Sequence, residues 1–574
     1  MYAYYADKAT DQEIREGMET YLRFLPLDHV YLENHRATTD IPVKRLSEIK
    51  TILEEYGVRV SGGITSTVLV NNSVKPSLFD TFCYTDPTHR QEYLRVVREA
   101  AEVFDEIILD DFFFTSCRCE MCISAKGNRS WKDFRQAQMR DFSAEIVAEA
   151  KRVNPQMNFI IKYPNWYESH QATGYNPGIQ KSIFDMIYTG TETREPFYAA
   201  QHLQRYASYS AMRLLENAAP GRNGGGWIDL GGSSDNVNRF LEQAEFTFLG
   251  SAKELTLFNF PSLLTSPALP AMDSLLRRVD AFLDRAGQPA GTKVWIPFDA
   301  EGEDQLCNYL GMCGAALEPV PDFPEDAPAV LLTQRSACVP DAVEKLEAYV
   351  RKGGKAIVTV GFLRQAYDRG IRDMTSVRLT GRHVAGSHYM IDLCEFDYSS
   401  IRYAHGDEKV LFEALDYKTN ATWADVLLLC GENNFPILTE DYYGCGKLLI
   451  LNVPENFADL YRLPAAVAGI LCRELSAGLP FYLSAEPKWS LIAYSNETFC
   501  LHSFRSMLSH ARIVVRGKCA GLRNLETGAE YRNAVLLPAP CKRQDGAVSR
   551  SAEPEYAFEV AVAPGRSVYM EVLR

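Results

Sequence analysis

The sequence predicts an α/β protein of three successive parts. These are a (β/α)₈ TIM barrel over residues 1–288, a second α/β domain over 289–477, and a small antiparallel β-sandwich over 478–574. Three observations carry this. The first half alternates short β-rich runs with longer stretches of helical periodicity, and eight such units in about 285 residues is the size of one TIM barrel. A turn-rich linker, Arg285-Ala-Gly-Gln-Pro-Ala-Gly-Thr292, then breaks the alternation, which resumes with a new rhythm. From about Gly478 onward helices vanish, strands shorten and turns become frequent.

The expected barrel strands begin at Tyr2, His29, Val58, Glu106, Asn158, Met186, Gly225 and Leu255. Between them the helices are well marked. Asp11 to Leu22 has an acidic first turn, and Val43 to Leu53 repeats apolar residues at three-to-four spacing before Gly57, a C-terminal stop. His89 to Val103 and Trp131 to Val153 follow the same pattern, the latter ending before Pro155. In the second part, Lys293-Val-Trp-Ile, Ala329-Val-Leu-Leu and Lys355-Ala-Ile-Val-Thr-Val read as parallel strands of a doubly wound sheet. Leu491-Ile-Ala-Tyr, Phe499-Cys-Leu-His, Ala511-Arg-Ile-Val-Val and Ser567-Val-Tyr-Met-Glu-Val read as sandwich strands.

A chain of 574 residues is too long for a single core, and its 46% hydrophobic and 23% charged content is that of a globular protein. The net charge of -14 is spread along the chain, which argues against a nucleic-acid or anionic-membrane partner. No apolar run reaches the roughly 18 residues of a membrane span, and the N-terminus lacks the basic and apolar regions of a signal peptide. A soluble, cytoplasmic protein is the expectation. Ten of the 14 cysteines are scattered singly through the last half and read as reduced core residues.

The other four form a group. Cys117-Arg-Cys-Glu-Met-Cys122 places three thiols within six residues after the fourth strand, and Cys83 lies in the loop after the third. Loops after neighbouring barrel strands are adjacent, so Cys83, Cys117, Cys119 and Cys122 are the expected ligands of a closed structural Zn²⁺ site. Four reduced surface cysteines, or a redox role, are the alternatives. No organic cofactor is expected.

In TIM barrels the chemistry sits where strands end. Glu33, Asn34 and His35 end the second strand, Asp110 and Asp111 the fourth, Lys162, Asn165 and Trp166 the fifth, Glu192 and Arg194 the sixth, Trp227 and Asp229 the seventh, and Asn259 the eighth. This describes a polar, sugar-sized pocket. Asp110-Asp111, set between Ile107-Ile-Leu109 and Phe112-Phe-Phe114, would be costly unless paired or used, and repulsion within the pair raises one pKa, as a general acid requires. Glycoside hydrolysis needs a second carboxyl across the bond, and Glu192 and Asp229 are both candidates. The structural alternatives are that an Asp caps the next loop, that Glu192 is held by Arg194, and that Gly224-Gly-Gly226 before Trp227 only relieves crowding.

The run from Phe82-Cys83 through Asp110-Asp111 and Cys117-Arg-Cys-Glu-Met-Cys122 to Trp131-Lys-Asp-Phe-Arg135 resembles the family 42 glycoside hydrolases, the β-galactosidase type. The resemblance implies barrel, class-I glutamine-amidotransferase-like domain and β domain in that order, with zinc on the four cysteines. It makes Asp111 the acid/base and Asp229 the nucleophile, with Asp110-Asp111 in place of that family's Asn-Glu. It also implies a trimer or dimer and a glycoside or oligosaccharide substrate. The second domain lacks a Gly-x-Cys-x-Gly elbow and reads as scaffold. An Asp-Asp pair also resembles substrate-assisted β-N-acetylhexosaminidases, in which Asp110 would orient the acetamide and Asp111 remain the acid. A rival of another class is an inactive carbohydrate-binding barrel, favoured if the carboxylates are locked to Lys162 or Arg194. A metal-dependent hydrolase using Asp110, Asp111, His35 and Glu192 lacks the usual histidine spacing.

Overall fold

The computed structural model describes residues 1–68, 80–195, 203–231, 236–393, 400–537, 541–544, 547–550 and 553–574. It comprises two compact units, 1–279 and 280–574.

In the first unit seven parallel strands follow one another in chain order: β1 (His29–Arg36), β3 (Arg59–Ile64), β4 (Glu106–Leu109), β5 (Asn158–Tyr163), β6 (Met186–Gly190), β7 (Asn223–Asp229) and β8 (Glu254–Phe258). A two-residue strand, β2 (Thr39–Asp40), turns back antiparallel on β1. Helices separate the parallel strands, as the crossover between parallel neighbours requires. They start where the sequence places helix signals. Thr10 and Glu13 form a capping box on Asp11–Phe24, Asp86 caps Pro87–Ala101 with Pro at the first position, and Ser130 caps Trp131–Val153.

One expectation is corrected. Tyr2-Ala-Tyr-Tyr is not a strand: Ala3–Lys8 is a helix, with Ala3 and Ala6 buried. The three-residue spacing of its small residues outweighs the β-propensity of its tyrosines. Met1 alone makes strand-like bonds. Its ammonium donates to the Tyr31 carbonyl at 2.6 Å and its own carbonyl accepts from Glu33 N at 3.0 Å.

Inward-facing Tyr31, Ile108, Ile160, Tyr188 and Trp227, one from each of β1, β4, β5, β6 and β7, fill the barrel. Below them the first residues of the strands form a polar floor. His29 lies 3.1 Å from Glu254 and 2.8 Å from Ser61, and Ser61 donates to Glu106 at 2.8 Å. The glycine run of β7 relieves crowding. A Cβ on Gly225 would lie 2.1 Å from the Glu254 carbonyl oxygen, and one on Gly226 would lie 2.1 Å from the Thr247 methyl. Because Gly225 would press on backbone, Gly225→Ala is expected to cost about 2–3 kcal/mol, read from chemical denaturation, with a loss below about 0.5 kcal/mol contradicting this account.

In the second unit a nine-stranded sheet has a parallel half, in the order Leu317–Val320, Thr292–Trp295, Ala329–Leu332, Lys355–Thr359, Gly446–Leu451. An antiparallel half continues it through Asn433–Tyr443, Trp423–Cys430, Arg378–Ile391 and Arg402–Asp416. Thr292–Trp295, Ala329–Leu332 and Lys355–Thr359 are parallel strands as the sequence marks them, whereas Leu317–Val320 joins them without having been expected. The two long strands at the far edge carry many exposed charges and give no strand signal. A four-stranded antiparallel sheet formed after Pro480, and a six-stranded one made of five strands after Pro480 and the two-residue strand Pro289–Ala290, share one core, which includes Phe481, Trp489, Phe499, Ile513, Phe558 and Met570.

The twelve cysteines whose side chains the structure describes are free. Cys307, Cys313, Cys472 and Cys500 are buried as expected, whereas Cys338 and Cys445 are exposed; Cys394 and the side chain of Cys541 lie outside what is described. Among the described residues no helix is long and apolar enough to cross a membrane.

Candidate active site

The C-terminal ends of β1, β3, β4, β5 and β6 bring their polar side chains together. Lys162, the fifth residue of β5, is at the centre and only 1% exposed. Its ammonium lies 2.9 Å from Glu192 Oε1, 3.3 Å from Asp110 Oδ1 and 3.5 Å from Asp111 Oδ2. Its Nζ also stands 4.5 Å above the Trp227 ring.

The carboxylates around it are held unequally. Asp110 has a second cation, Arg36 at 3.3 Å, and accepts from the Thr65 hydroxyl at 3.2 Å and the Asp111 amide at 2.8 Å. Burial alone would raise its pKa, but Lys162 and Arg36 hold it well below the usual carboxylate range. Glu33 accepts from Arg36 Nε at 2.9 Å and from Arg36 NH2 at 2.7 Å, and also from the Ala3 amide and the Thr65 hydroxyl. Glu192, 2% exposed, takes Lys162 and an Asn165 amide N–H at 3.5 Å; burial raises its pKa against the pull of Lys162. Asp229 is gripped by both ends of the Arg194 guanidinium, at 3.0 and 2.7 Å. Asp111 has no cation of its own beyond the long contact to Lys162. Burial pushes its pKa well above the usual carboxylate range, with Asp110 and Glu192 adding to the rise and Lys162 opposing it. Its side chain is 23% exposed, against 10% for Asp110 and 3% for Glu192.

The structure thus gathers Glu33, Asp110, Asp111, Lys162, Asn165 and Glu192 into one network, with Asp229 and Arg194 paired beside it. Asp229 is near enough to raise the pKa of Glu192. Trp166, half-buried, meets Phe114, His170 and Tyr175 edge-on at ring distances of 5.6–5.8 Å. Three expected binding residues turn elsewhere. Asn34 donates to the Val96 carbonyl at 3.0 Å, because its neighbours on β1 face the opposite way. His35 is spent on Asp40 and the Thr67 carbonyl. Asn259 caps the helix Phe260–Leu264. Trp227 belongs to the barrel filling, with its face turned to Lys162. Arg36 and Thr65 are the network members that sequence reasoning passed over. Both follow from position alone, as the last residue of β1 and the first after β3.

The four expected metal ligands do meet. The sulfurs of Cys83, Cys117, Cys119 and Cys122 all lie within 4.8 Å of one another, with Cys83 to Cys122 at 3.6 Å and Cys83 to Cys119 at 3.8 Å. Disulfides would need about 2.05 Å. A tetrahedron with bonds of about 2.3 Å has edges of about 3.8 Å, which these distances match. Helix Glu120–Lys126, beginning just after Cys119, puts Cys119 and Cys122 one turn apart. Trp131 and Phe134 cover the cluster.

Comparisons with known proteins bear on the domains and the fold. Residues 2–274 match the family described as probable glycosyl hydrolase, catalytic domain, and residues 480–566 match probable glycosyl hydrolase, C-terminal domain. An uncharacterized protein of Saccharolobus solfataricus is 26% identical over 295 residues, 46% of this chain; the match spans 48% of that relative, so the chain covers about half its length. The β-galactosidase from Bacillus circulans sp. alkalophilus superposes with a TM-score of 0.64 at 10% identity, over 100% of this chain and 98% of that one. A β-galactosidase from Halorubrum lacusprofundi gives 0.63 at 11% identity over the same shares. A catalytic mutant of Gan42B, a GH42 β-galactosidase from G. stearothermophilus, gives 0.60 at 10% identity over 98% and 96%. Residues 2–274 and 480–566 thus match the catalytic and the C-terminal domain of probable glycosyl hydrolases, in that order, on a fold like that of the family 42 β-galactosidases.

Proposed function

We propose that the protein hydrolyses a glycosidic bond at the barrel mouth, with Asp111 as proton donor. The observation that carries this is the unequal holding of the carboxylates. Among the described residues Asp111 has only the longest of the three contacts to the shared Lys162, burial pushes its pKa well above the usual carboxylate range, and its side chain is more exposed than those of its two neighbours on Lys162. A general acid needs these properties. Asp229, gripped by Arg194 at the end of β7 where the resemblance to family 42 puts the nucleophile, is the partner carboxylate. A second reading gives that role to Glu192. Lys162 bridges it to Asp111 at 2.9 and 3.5 Å, so their nearest oxygens are at most the sum of those distances apart, about 6.4 Å, which suits a carboxyl pair flanking one bond.

Pairing to Lys162 and Arg194 is also what an inactive binding barrel would show. Asp111 separates the two readings, since a barrel that only binds sugar has no need of a weakly held, partly exposed carboxyl whose pKa is raised. The substrate is proposed as a β-galactoside, from the activity named for the structural neighbours; the β-N-acetylhexosaminide alternative draws no support from those neighbours. The metal is proposed as zinc, from the all-thiolate tetrahedral set. The α/β domain is proposed as a scaffold. At the turn after Lys355–Thr359, where a nucleophile would stand, the chain has Val360, and the Gly361 and Gln334 amides there are taken by Glu303 at 3.1 and 2.7 Å.

The test is a panel of aryl α- and β-glycosides, including galactosides, N-acetylhexosaminides, mannosides and uronides, run with the wild type, Asp229→Ala and Glu192→Ala. Release from a β-galactoside is expected. Added azide should restore activity to whichever variant has lost the nucleophile. Tight sugar binding with no turnover across the panel would establish the binding barrel instead.

A further inference from the structure

We propose that Lys162 is a positioning residue: it does not touch substrate, and its buried ammonium, shared by three carboxylates, sets how tightly Asp111 holds the proton it donates. This rests on the glycosidase reading of the site. The charge count comes first. Asp110, Asp111 and Glu192 converge on one ammonium. Only Asp110 has a further cation, Arg36. Three carboxylates and one shared cation in a space nearly closed to water favour keeping a proton.

Geometry then decides which group keeps it. The ammonium is closest to Glu192 at 2.9 Å and next to Asp110 at 3.3 Å, while Asp111 is furthest at 3.5 Å. Asp110 has, besides Arg36, the Thr65 hydroxyl and the Asp111 amide, both of which stabilise an anion. Glu192 has the Asn165 amide group. Asp111 faces Lys162, Asp110 and Glu192, with Arg36, Arg194 and the buried Tyr175 phenol further off. The carboxyl left with the proton is therefore the one reaching towards the opening. At 1% exposure the ammonium is itself sealed beneath this cluster, with the Trp227 ring 4.5 Å from it on another side. It cannot leave to bind a sugar hydroxyl without stranding Asp111 and Glu192. A substrate-binding lysine would instead present part of its donor set to the cavity.

The experiment compares wild type, Lys162→Met and Lys162→Arg in two readouts. The first is the pH profile of kcat/KM on the best substrate of the panel. The second needs no turnover: the titration of the Asp111 carboxyl followed by ¹³C NMR of Asp-labelled protein, its signal assigned by its loss in Asp111→Asn. Removing the cation removes what opposes the rise, so in Lys162→Met the Asp111 midpoint and the alkaline limb should both move up by about 1 pH unit or more. Lys162→Arg, if folded, should restore most of the wild-type midpoint. An unchanged midpoint in a folded Lys162→Met protein overturns the proposal. So does a rise in KM with kcat and both pH limbs unchanged, the mark of a direct substrate contact. If the wild type cleaves no glycoside, the NMR midpoint still tests the role of Lys162, so the two ideas fail separately. If Lys162→Met does not fold, the Lys162→Arg titration decides. A wild-type-like Asp111 midpoint supports a role carried by charge, and a midpoint moved as far as removal of the cation predicts overturns it.

Discussion

Asp111→Asn is expected to lower kcat/KM by about 10³-fold on substrates with poor leaving groups, within the 10²–10⁴ that a general acid contributes, and by much less on activated aryl glycosides that leave without protonation. The same substitution should leave the fold intact or make it more stable. The sign follows from linkage. The folded-state pKa of Asp111 is raised, so between the unfolded value of about 3.9 and the folded one the native state binds more protons than the unfolded chain. The contribution of Asp111 to stability therefore falls as pH rises through that window, and a neutral Asn escapes the loss. Asp110 behaves oppositely. Its pKa is depressed, so its contribution is present above the unfolded value and is lost as pH falls through the folded one. Activity assays and thermal melts of Asp111→Asn at pH 5 and pH 8 check both. Full activity on an unactivated glycoside, or a melt several degrees below wild type at pH 8, would show that Asp111 is structural.

The second large effect concerns the four cysteines. Purified protein is expected to carry one zinc per chain, measured by metal analysis, and Cys119→Ser or Cys122→Ser to lose it. Metal binding to preassembled thiolates is folding free energy, so removal should cost several kcal/mol, on the order of 10 °C in Tm. The cluster lies six residues beyond Asp111, and the intervening Phe113 and Phe114 pack against Tyr84 and Trp166, at 5.6 Å each. Metal loss should therefore also reduce kcat, although no ligand faces the substrate. An as-purified protein that is fully stable without metal would make these four ordinary reduced thiols.

How much of this was legible in the sequence depends on whether the signal was local. Helix Trp131–Val153 was readable to the residue, because Ser130 and Pro155 bracket it. Seven of the eight expected barrel strands are strands, because apolar β-branched runs beside turns have few other fates. Tyr2–Tyr5 failed because four residues cannot distinguish helix from strand when the deciding contact is Ala3 and Ala6 against the barrel wall. The far strands Arg378–Ile391 and Arg402–Asp416 were silent for a different reason: their buried residues, among them Val384, Tyr389, Val410 and Phe412, are set among exposed charged residues that hide the alternation. Within the site, the acids at strand ends and the cysteine spacing were visible. The central place of Lys162 was not. In Ile160-Ile-Lys-Tyr163 only the assembled barrel reveals that the ammonium faces three carboxylates, which belong to residues 30 to 52 positions away.

The polar floor of the barrel has a consequence for traffic. Tyr31, Ile108, Ile160, Tyr188 and Trp227 stopper the lumen, and the His29, Ser61, Glu106 and Glu254 network bolts it from beneath. Among the described residues the lumen is therefore filled from Trp227 down to its floor and offers no passage through the barrel. On the proposed reading, a freed sugar would leave by the side from which its parent glycoside came.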